Sequence, residues 1–496
     1  MRRTLLIVAV AAALNAASGG DVLAQKAYSR AATPNASVGG AAPPASRSGD
    51  GGGDRGGGYR GGYGGGLHPY GPGLAIAVPY APQYIDDGNF GSRPPGPPAR
   101  RTARRNSNGV PPANERRLVP DEVLVEVASS TSPQTINALQ RRYRLTTVEQ
   151  QTFQLAGTTL YRWRIPDRRS VAGVVRSLQA DAVVASAQPN YLFTLQQSGS
   201  APASEGDPAQ YELAKLQLPQ AHGIAKGDHV LVAVIDSAVD LSHPELAGTV
   251  AQTFDATGKP LAPHKHGTAI AGLIAAHARL MGAAPNAQIL AVRAFDPEGA
   301  SAEGTTFNIL KGLDWAAVNG ARVINMSFAG PADPDMHRSL EAAHKKGIVL
   351  VAAAGNAGPQ SPPLYPAADR NVIAVSATDA EDRLFPQSNR GPYIALAAPG
   401  AQILVAAPDG TYAVSSGTSY SAAEVSGIAA LLLEHNPHLK PDELRSILTA
   451  SAKDLGPKGR DNLFGAGLAN AYGALIVEDR VMAAAAPVER AAVRAH

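Results

Sequence analysis

The chain has 496 residues, with 51 Gly, 39 Pro and no Cys. Without cysteine there is no disulfide, no thiolate nucleophile and no Cys-type zinc site. A formal charge of +3 is too small a surplus to imply nucleic-acid binding, and the length predicts several domains or one large domain with appendages.

The first residues, "MRRTLLIVAVAAAL", place two arginines before an apolar run of about ten residues. That is the size of a signal-peptide core and shorter than the ~20 residues a membrane span needs. Val22-Leu23-Ala24 loosely fits the small-x-small cleavage rule. Residues 1–24 therefore read as a removed signal peptide rather than an anchor. What remains is a secreted or periplasmic chain with no span.

Residues 25–117 read as disordered. "GGGDRGGGYRGGYGGG" and "SRPPGPPARRTARRNSNGVPP" hold too few large apolar side chains to offset chain entropy. Residues 92–117 carry seven Arg against one acid, Glu115, which reads as a solvated linker or a weak tether to an anionic surface.

Order is predicted from Leu118. "VPDEVLVEV", "TTLYRWRIP" and "VVASAQPNYLFTL" read as strands. "SPQTINALQRRY" and "SVAGVVRSLQAD" read as helices, the first capped by Ser132 with Pro133 in its first turn. The order β-α-β…α-β over residues 118–197 predicts a small α+β, ferredoxin-like unit. Residues 198–206 read as an exposed linker.

A large domain is predicted over 207–476, with 477–496 as a tail. Its apolar runs, "HVLVAVID", "AQILAVRAF", "RVINMSFA", "IVLVAAAG", "NVIAVSAT" and "YIALAAPG", are mostly continuous, as in strands buried on both faces. Helical segments fall between several of them. This predicts an α/β fold with a doubly wound, mostly parallel sheet, whose ligands bind beyond the carboxyl ends of the strands.

Four polar residues near strand ends or helix starts then matter. Asp236 ends "LVAVID", His266 lies in "HKHGTAIAG", Asn356 follows "LVAAAG", and Ser419 opens the helix of "GTSYSAAEVSG". Each alone is an ordinary turn, cap or loop residue. Together they fit one chemistry. A serine hydroxyl needs a base, and imidazole suits neutral pH. The base needs a carboxylate on its other nitrogen. A tetrahedral oxyanion needs donors, which a side-chain amide and a helix start supply.

"VAVIDSAVDLSHPEL", "HGTAIAG", "INMSFAG", "VAAAGNAG" and "GTSYSAAEVSG" resemble, in order and approximate spacing, the motifs of the subtilisin-like serine peptidases, the subtilases. The resemblance covers residues 207–475. It implies Asp236, His266 and Ser419 as a triad and Asn356 as oxyanion donor. It implies polypeptide substrates, and a propeptide at 118–197 that assists folding and then inhibits. It also implies Ser327, Phe328 and Ala329 on one side of the primary specificity pocket, and Ala353, Ala354 and Gly355 on the other. Leu364 falls at the pocket floor. Relatives with deep pockets have Gly at the Ala329 and floor positions, so a preference for small P1 residues is expected.

The departures leave the four chemical groups in place. Ala238 stands where Gly is usual and requires a negative φ. Ala269 replaces a family His. Tyr420, Ser421, Ala423 and Glu424 replace a Met-Ala-x-Pro-His stretch. Glu424 is expected in the first helical turn, where it suits the dipole and, if close, raises the pKa of His266. The loop "AAHARLMGAAPNA" lacks the Asn-rich insertion that binds calcium in many relatives, so no cofactor is expected, and calcium has no recognisable site. Two alternatives are a catalytically silent binding protein on the same fold and a sedolisin-type serine-carboxyl peptidase. His266 and Asn356 speak against the second.

Overall fold

The computed structural model describes residues 109–128, 130–196, 210–260, 262–296 and 302–480. The signal peptide, residues 25–108, the linker 198–206 and residues 481–496 lie outside the described residues. Among those described, no helix is long and apolar enough to cross a membrane.

An N-terminal lobe runs β1 (Leu118–Val127), α1 (Pro133–Tyr143), β2 (Thr146–Phe153), β3 (Thr158–Arg164), α2 (Val171–Gln179) and β4 (Val184–Leu195). Its four strands pair antiparallel in the order β2-β3-β1-β4. Both helices start on a serine, Ser132 and Ser170, whose side chains accept from backbone N–H groups. The lobe begins earlier than composition suggests. Val110 packs on its core, and Gly109 sits so close to Ala187 that a Cβ would meet its carbonyl oxygen at 1.9 Å. Residues 109–117 thus belong with the lobe rather than with the segment before it.

The C-terminal lobe opens with α3 (Tyr211–Lys215) and α4 (Leu218–Ala221). It continues β5 (Leu231–Asp236), β6 (Val250–Asp255), α5 (Lys265–Ala275), β7 (Gln288–Arg293), β8 (Phe295–Asp296), β9 (Glu303–Thr305) and α6 (Thr306–Val318). Then follow β10 (Val323–Met326), β11 (Phe328–Ala329), α7 (Pro334–Lys345), β12 (Val349–Ala353), β13 (Ile373–Thr378) and β14 (Ile394–Pro399). The last elements are β15 (Ile403–Ala407), β16 (Thr411–Ser415), α8 (Thr418–His435) and α9 (Pro441–Ser451). A further helical stretch over 471–480 buries Glu478, so the packed region passes the boundary expected at 476.

Seven strands form one parallel sheet in the order β6-β7-β5-β10-β12-β13-β14. This is the α/β doubly wound fold expected from the apolar runs. The chain builds outward in both directions from β5 and β10, and at such a switch point the strand ends leave a crevice. α8 is buried on all sides over Thr418–Leu433. It packs with α5 on one face of the sheet, and α6 and α7 cover the other.

The lobes meet at the starts of α6 and α7. Asn190 Oδ1 accepts from Phe307 N–H at 3.2 Å, and Gln188 Oε1 accepts from Asp335 N–H at 3.1 Å. Gln188 Nε2 donates to Asp333 at 2.9 Å. The lobe's amide side chains therefore satisfy orphan groups of helix starts.

The loop after α5 is closed by an internal anion. Fully buried Glu245 accepts from the N–H groups of Ala278, Arg279 and Leu280 at 2.9–3.1 Å and from Tyr412 Oη at 2.7 Å. Gln210 brackets the same loop, accepting from Met281 N–H and donating to Met281 O, both at 2.9 Å. Burial alone would raise the Glu245 pKa, but the hydroxyl and the three N–H groups outweigh it and hold the carboxyl below its usual range. Its stabilisation is therefore present above the ordinary carboxylate range and is lost as pH falls through the lowered value. Glu245→Ala leaves these donors without a partner. The expected cost is about 2–4 kcal/mol, read from urea unfolding in a Ser419→Ala background that prevents self-cleavage. An unchanged midpoint would mean that the loop does not depend on this carboxylate.

Candidate active site

Asp236 is the last residue of β5, a strand with apolar side chains on both faces, and it is fully buried. His266 is the second residue of α5 and equally buried. The two meet across the crevice. His266 Nδ1 lies 2.8 and 2.9 Å from the two Asp236 oxygens, which sets Nδ1 as the protonated nitrogen and leaves Nε2 as the free base. Among the described residues Nε2 has no hydrogen-bond partner.

Ser237 ties this pair together, and the sequence reading did not single it out. Its N–H donates to Asp236 Oδ1 at 2.7 Å, and its hydroxyl lies 3.0 Å from the same oxygen. The hydroxyl also accepts from Gly267 N–H at 3.1 Å and lies 2.8 Å from His264 Nδ1. Gly267 must be small here, because a Cβ would stand 2.3 Å from Ser237 O. Ala238 follows without a positive φ, so the usual Gly is not required.

Ser419 is not a helix cap. Gly417 occupies that position, and Ser419 is the second residue of α8, fully buried. Its hydroxyl donates to two backbone carbonyls, Gln196 O at 2.5 Å and Ser327 O at 3.0 Å. Ser327 Oγ in turn donates to Ser419 O at 3.1 Å and accepts from Asn325 Nδ2 at 2.9 Å. The start of α8 is thereby fastened to the end of β10.

Asn356 follows β12 and meets the same helix start. Its Oδ1 accepts from Thr418 N–H at 3.0 Å and Thr418 Oγ1 at 2.8 Å. This fixes the amide orientation. Nδ2 is left buried with no partner among the described residues. Thr418 also accepts from Gly355 N–H at 3.1 Å through its hydroxyl.

The expected pocket residues divide as follows. Phe328 and Ala329 form β11, which pairs antiparallel with β4. Ala353 and Ala354 are buried. Gly355 holds φ +108°, and a Cβ there would lie 3.0 Å from Leu364 Cδ1. Leu364 is itself buried.

Glu424 differs from expectation. It lies beyond the first turn of α8, which holds no acid. Burial, and after it the Glu212 carboxyl, push its pKa well above the usual range. That favours the neutral form, which brings no charge to His266.

Residues 227–467 match the model of the Subtilase family. Thermitase of Thermoactinomyces vulgaris is 37% identical over 274 residues, covering 54% of this chain and 95% of that protein. The thermophilic serine proteinase of Bacillus sp. (strain AK1) is 36% identical over 315 residues, covering 62% of this chain and 76% of that protein. Fervidolysin from Fervidobacterium pennivorans is a solved keratinolytic enzyme related to subtilisin. It superposes with a TM-score of 0.62 at 25% identity, over 72% of this chain and 61% of that one. The chain belongs to the subtilase family. It is a serine endopeptidase with the subtilisin-like α/β fold.

Ser237→Ala removes one hydrogen bond from Asp236 and one from the turn carrying His266. A loss of about 1.4 kcal/mol in transition-state stabilisation is expected, or tenfold in kcat with KM nearly unchanged. Wild-type kcat on a peptide substrate would show that the aspartate holds its orientation without Ser237.

Proposed function

We propose that this protein is an exported, self-processing endopeptidase held inactive by its own N-terminal lobe. Ser419 acts as nucleophile, His266 as general base, Asp236 as its orienting carboxylate and Asn356 as oxyanion donor. One observation carries the reading. β4 runs as an added strand between β9 and β11, and the carbonyl of Gln196, the residue just after it, accepts a hydrogen bond from Ser419 Oγ at 2.5 Å. Addition of a strand to exposed edges is how extended peptides bind.

The chemistry follows from the free groups. Among the described residues His266 Nε2 has no hydrogen bond to break before it takes the Ser419 proton, and Asp236 stabilises the resulting imidazolium. As the Gln196 carbonyl becomes tetrahedral its oxygen turns anionic. Asn356 Nδ2, held in orientation through Oδ1, then supplies a donor that costs no reorganisation. The start of α8 adds positive potential at the same place.

Export rests on the two arginines and the apolar run at the N-terminus. The lobe as inhibitor rests on its strand in the crevice. A preference against aromatic P1 residues rests on Leu364 and Ala329, which narrow the space beside Gly355; a side chain folded back along its own strand does not enter that space. Metal independence rests on Glu245, whose internal carboxylate accepts from the N–H groups of Ala278, Arg279 and Leu280.

Ser419→Ala is expected to leave the full-length chain uncleaved, with activity down ~10⁶-fold. Maturation of that variant, in a host without other proteases, would remove the assignment. Asn356→Ala is expected to fold normally and to lower kcat ~10²–10³-fold at constant KM; a raised KM with kcat intact would make Asn356 a binding residue. Excess EDTA is expected to leave both the thermal midpoint and the activity unchanged. A drop restored by added calcium would contradict metal independence.

A further inference from the structure

The register of β4 decides which peptide bond faces Ser419. On one edge Thr194 pairs with Ala329 and Leu195 with Phe328. On the other, Leu192 pairs with Thr305, Phe193 with Gly304 and Thr194 with Glu303, and Leu195 N–H donates to Ala302 O at 3.3 Å. The ladder closes where Gln196 N–H donates to Ser327 O at 3.1 Å. The next polar group along the chain is the Gln196 carbonyl, the acceptor of the Ser419 hydroxyl.

A slip by one residue would turn every side chain of the strand to the opposite face. Phe193 forbids it. Its ring is fully buried, set edge-on to Phe328 with centroids 5.9 Å apart. It also fills the space over Gly330, where a Cβ would lie 2.2 Å from the ring. Phe193 is thus an anchor three residues before Gln196.

The Gln196 side chain has partners of its own. Oε1 accepts from Asn356 N–H at 2.8 Å. Nε2 donates to Thr194 O at 3.0 Å and to Thr194 Oγ1 at 3.3 Å. The carboxamide is folded back along its own strand, consistent with a pocket closed by Leu364. A backbone N–H of the enzyme therefore reads the amide oxygen.

Resting on the reading of Ser419 as nucleophile, we infer that self-processing severs the Gln196–Gln197 bond. The cleft then recognises glutamine at P1 through Asn356 N–H, with an aromatic residue three positions before it. The cut falls ahead of the small residues of 198–206 rather than among them. Ser419 Oγ adds to the Gln196 carbonyl carbon while His266 Nε2 takes its proton. The C–N bond then breaks; its electron pair stays on the Gln197 nitrogen, which receives that proton. Water hydrolyses the ester, leaving a Gln196 carboxylate and restoring the Ser419 hydroxyl.

The full-length chain, sampled at early times by intact mass, tests this. The expected fragments end at Gln196 and begin at Gln197, the latter with or without loss of ammonia from its new terminal glutamine. Gln196→Ala should slow the first cut about 3- to 10-fold, and Gln196→Phe should slow it more, with Leu364→Gly in the same chain restoring part of the rate. On the matured enzyme, a peptide with Phe-Thr-Leu-Gln before the cut should exceed its Phe-Thr-Leu-Phe counterpart in kcat/KM.

A first cut within 198–206, with Ser419→Ala uncut, would overturn the inference and leave the peptidase reading standing. Cleavage of the Ser419→Ala chain after Gln196 would overturn both. Gln196→Phe processed as fast as the wild type would overturn the recognition of the amide.

Discussion

Burial of a polar helix start is the constraint on which the site depends. Thr418, Ser419 and Ser421 open α8 in the interior of the lobe, all without measurable exposure. Buried hydroxyls and N–H groups must find partners. Thr418 finds Asn356 and Gly355, Ser419 finds Ser327 O, and Ser421 finds Ala398 O at 2.9 Å. Each partner lies at or just beyond the carboxyl end of a strand. Pairing these groups brings the nucleophile candidate to the crevice between β5, β10 and β12, where Asp236 and Asn356 already stand.

The same demand explains the state of Ser419. Its hydroxyl is satisfied by carbonyls of Gln196 and Ser327, while His266 Nε2 has no partner among the described residues. On the proposed mechanism, removing β4 takes away the Gln196 acceptor and leaves Ser327 O alone in competition with His266 Nε2 for the hydroxyl proton. In the proposed reading, the N-terminal lobe acts on the site by occupying hydrogen-bonding capacity as well as space. Its contacts extend to a distance, because Asn190 serves the Phe307 N–H at the start of α6 and Gln188 shares the Asp335 N–H with the cap Asp333 at the start of α7.

Much of this was legible in the sequence. Parallel strands buried on both faces read as continuous apolar runs, so β5, β7, β10, β12, β13 and β14 stood out, and with them the strand-end residues Asp236 and Asn356. β6 did not, because "VAQTFD" is an edge strand with partly exposed side chains. The hairpin β15–β16 was also passed over, although Asp409-Gly410 between its strands, both at positive φ, is a recognised hairpin signal. Ser237 and Gln196 carry no periodicity and no motif of their own. Their importance comes from tertiary placement, 30 and 223 residues away from the groups they serve. Glu424 misled for the same reason. A carboxylate near the nucleophile in sequence faces another carboxyl in space.

The most direct measurement is labelling with a fluorophosphonate, which reacts with a serine activated by a neighbouring base. Two forms of the chain would be compared: the intact proform, kept from processing by Gln197→Pro, which leaves the Gln196 N–H on Ser327 O in place, and the matured enzyme. The expected result is stoichiometric modification of Ser419 alone in the matured form, prevented by Asp236→Ala, and little or none in the proform while β4 fills the crevice. Equal labelling of both forms, or modification at a residue other than Ser419, would contradict an active serine masked by the chain's own strand.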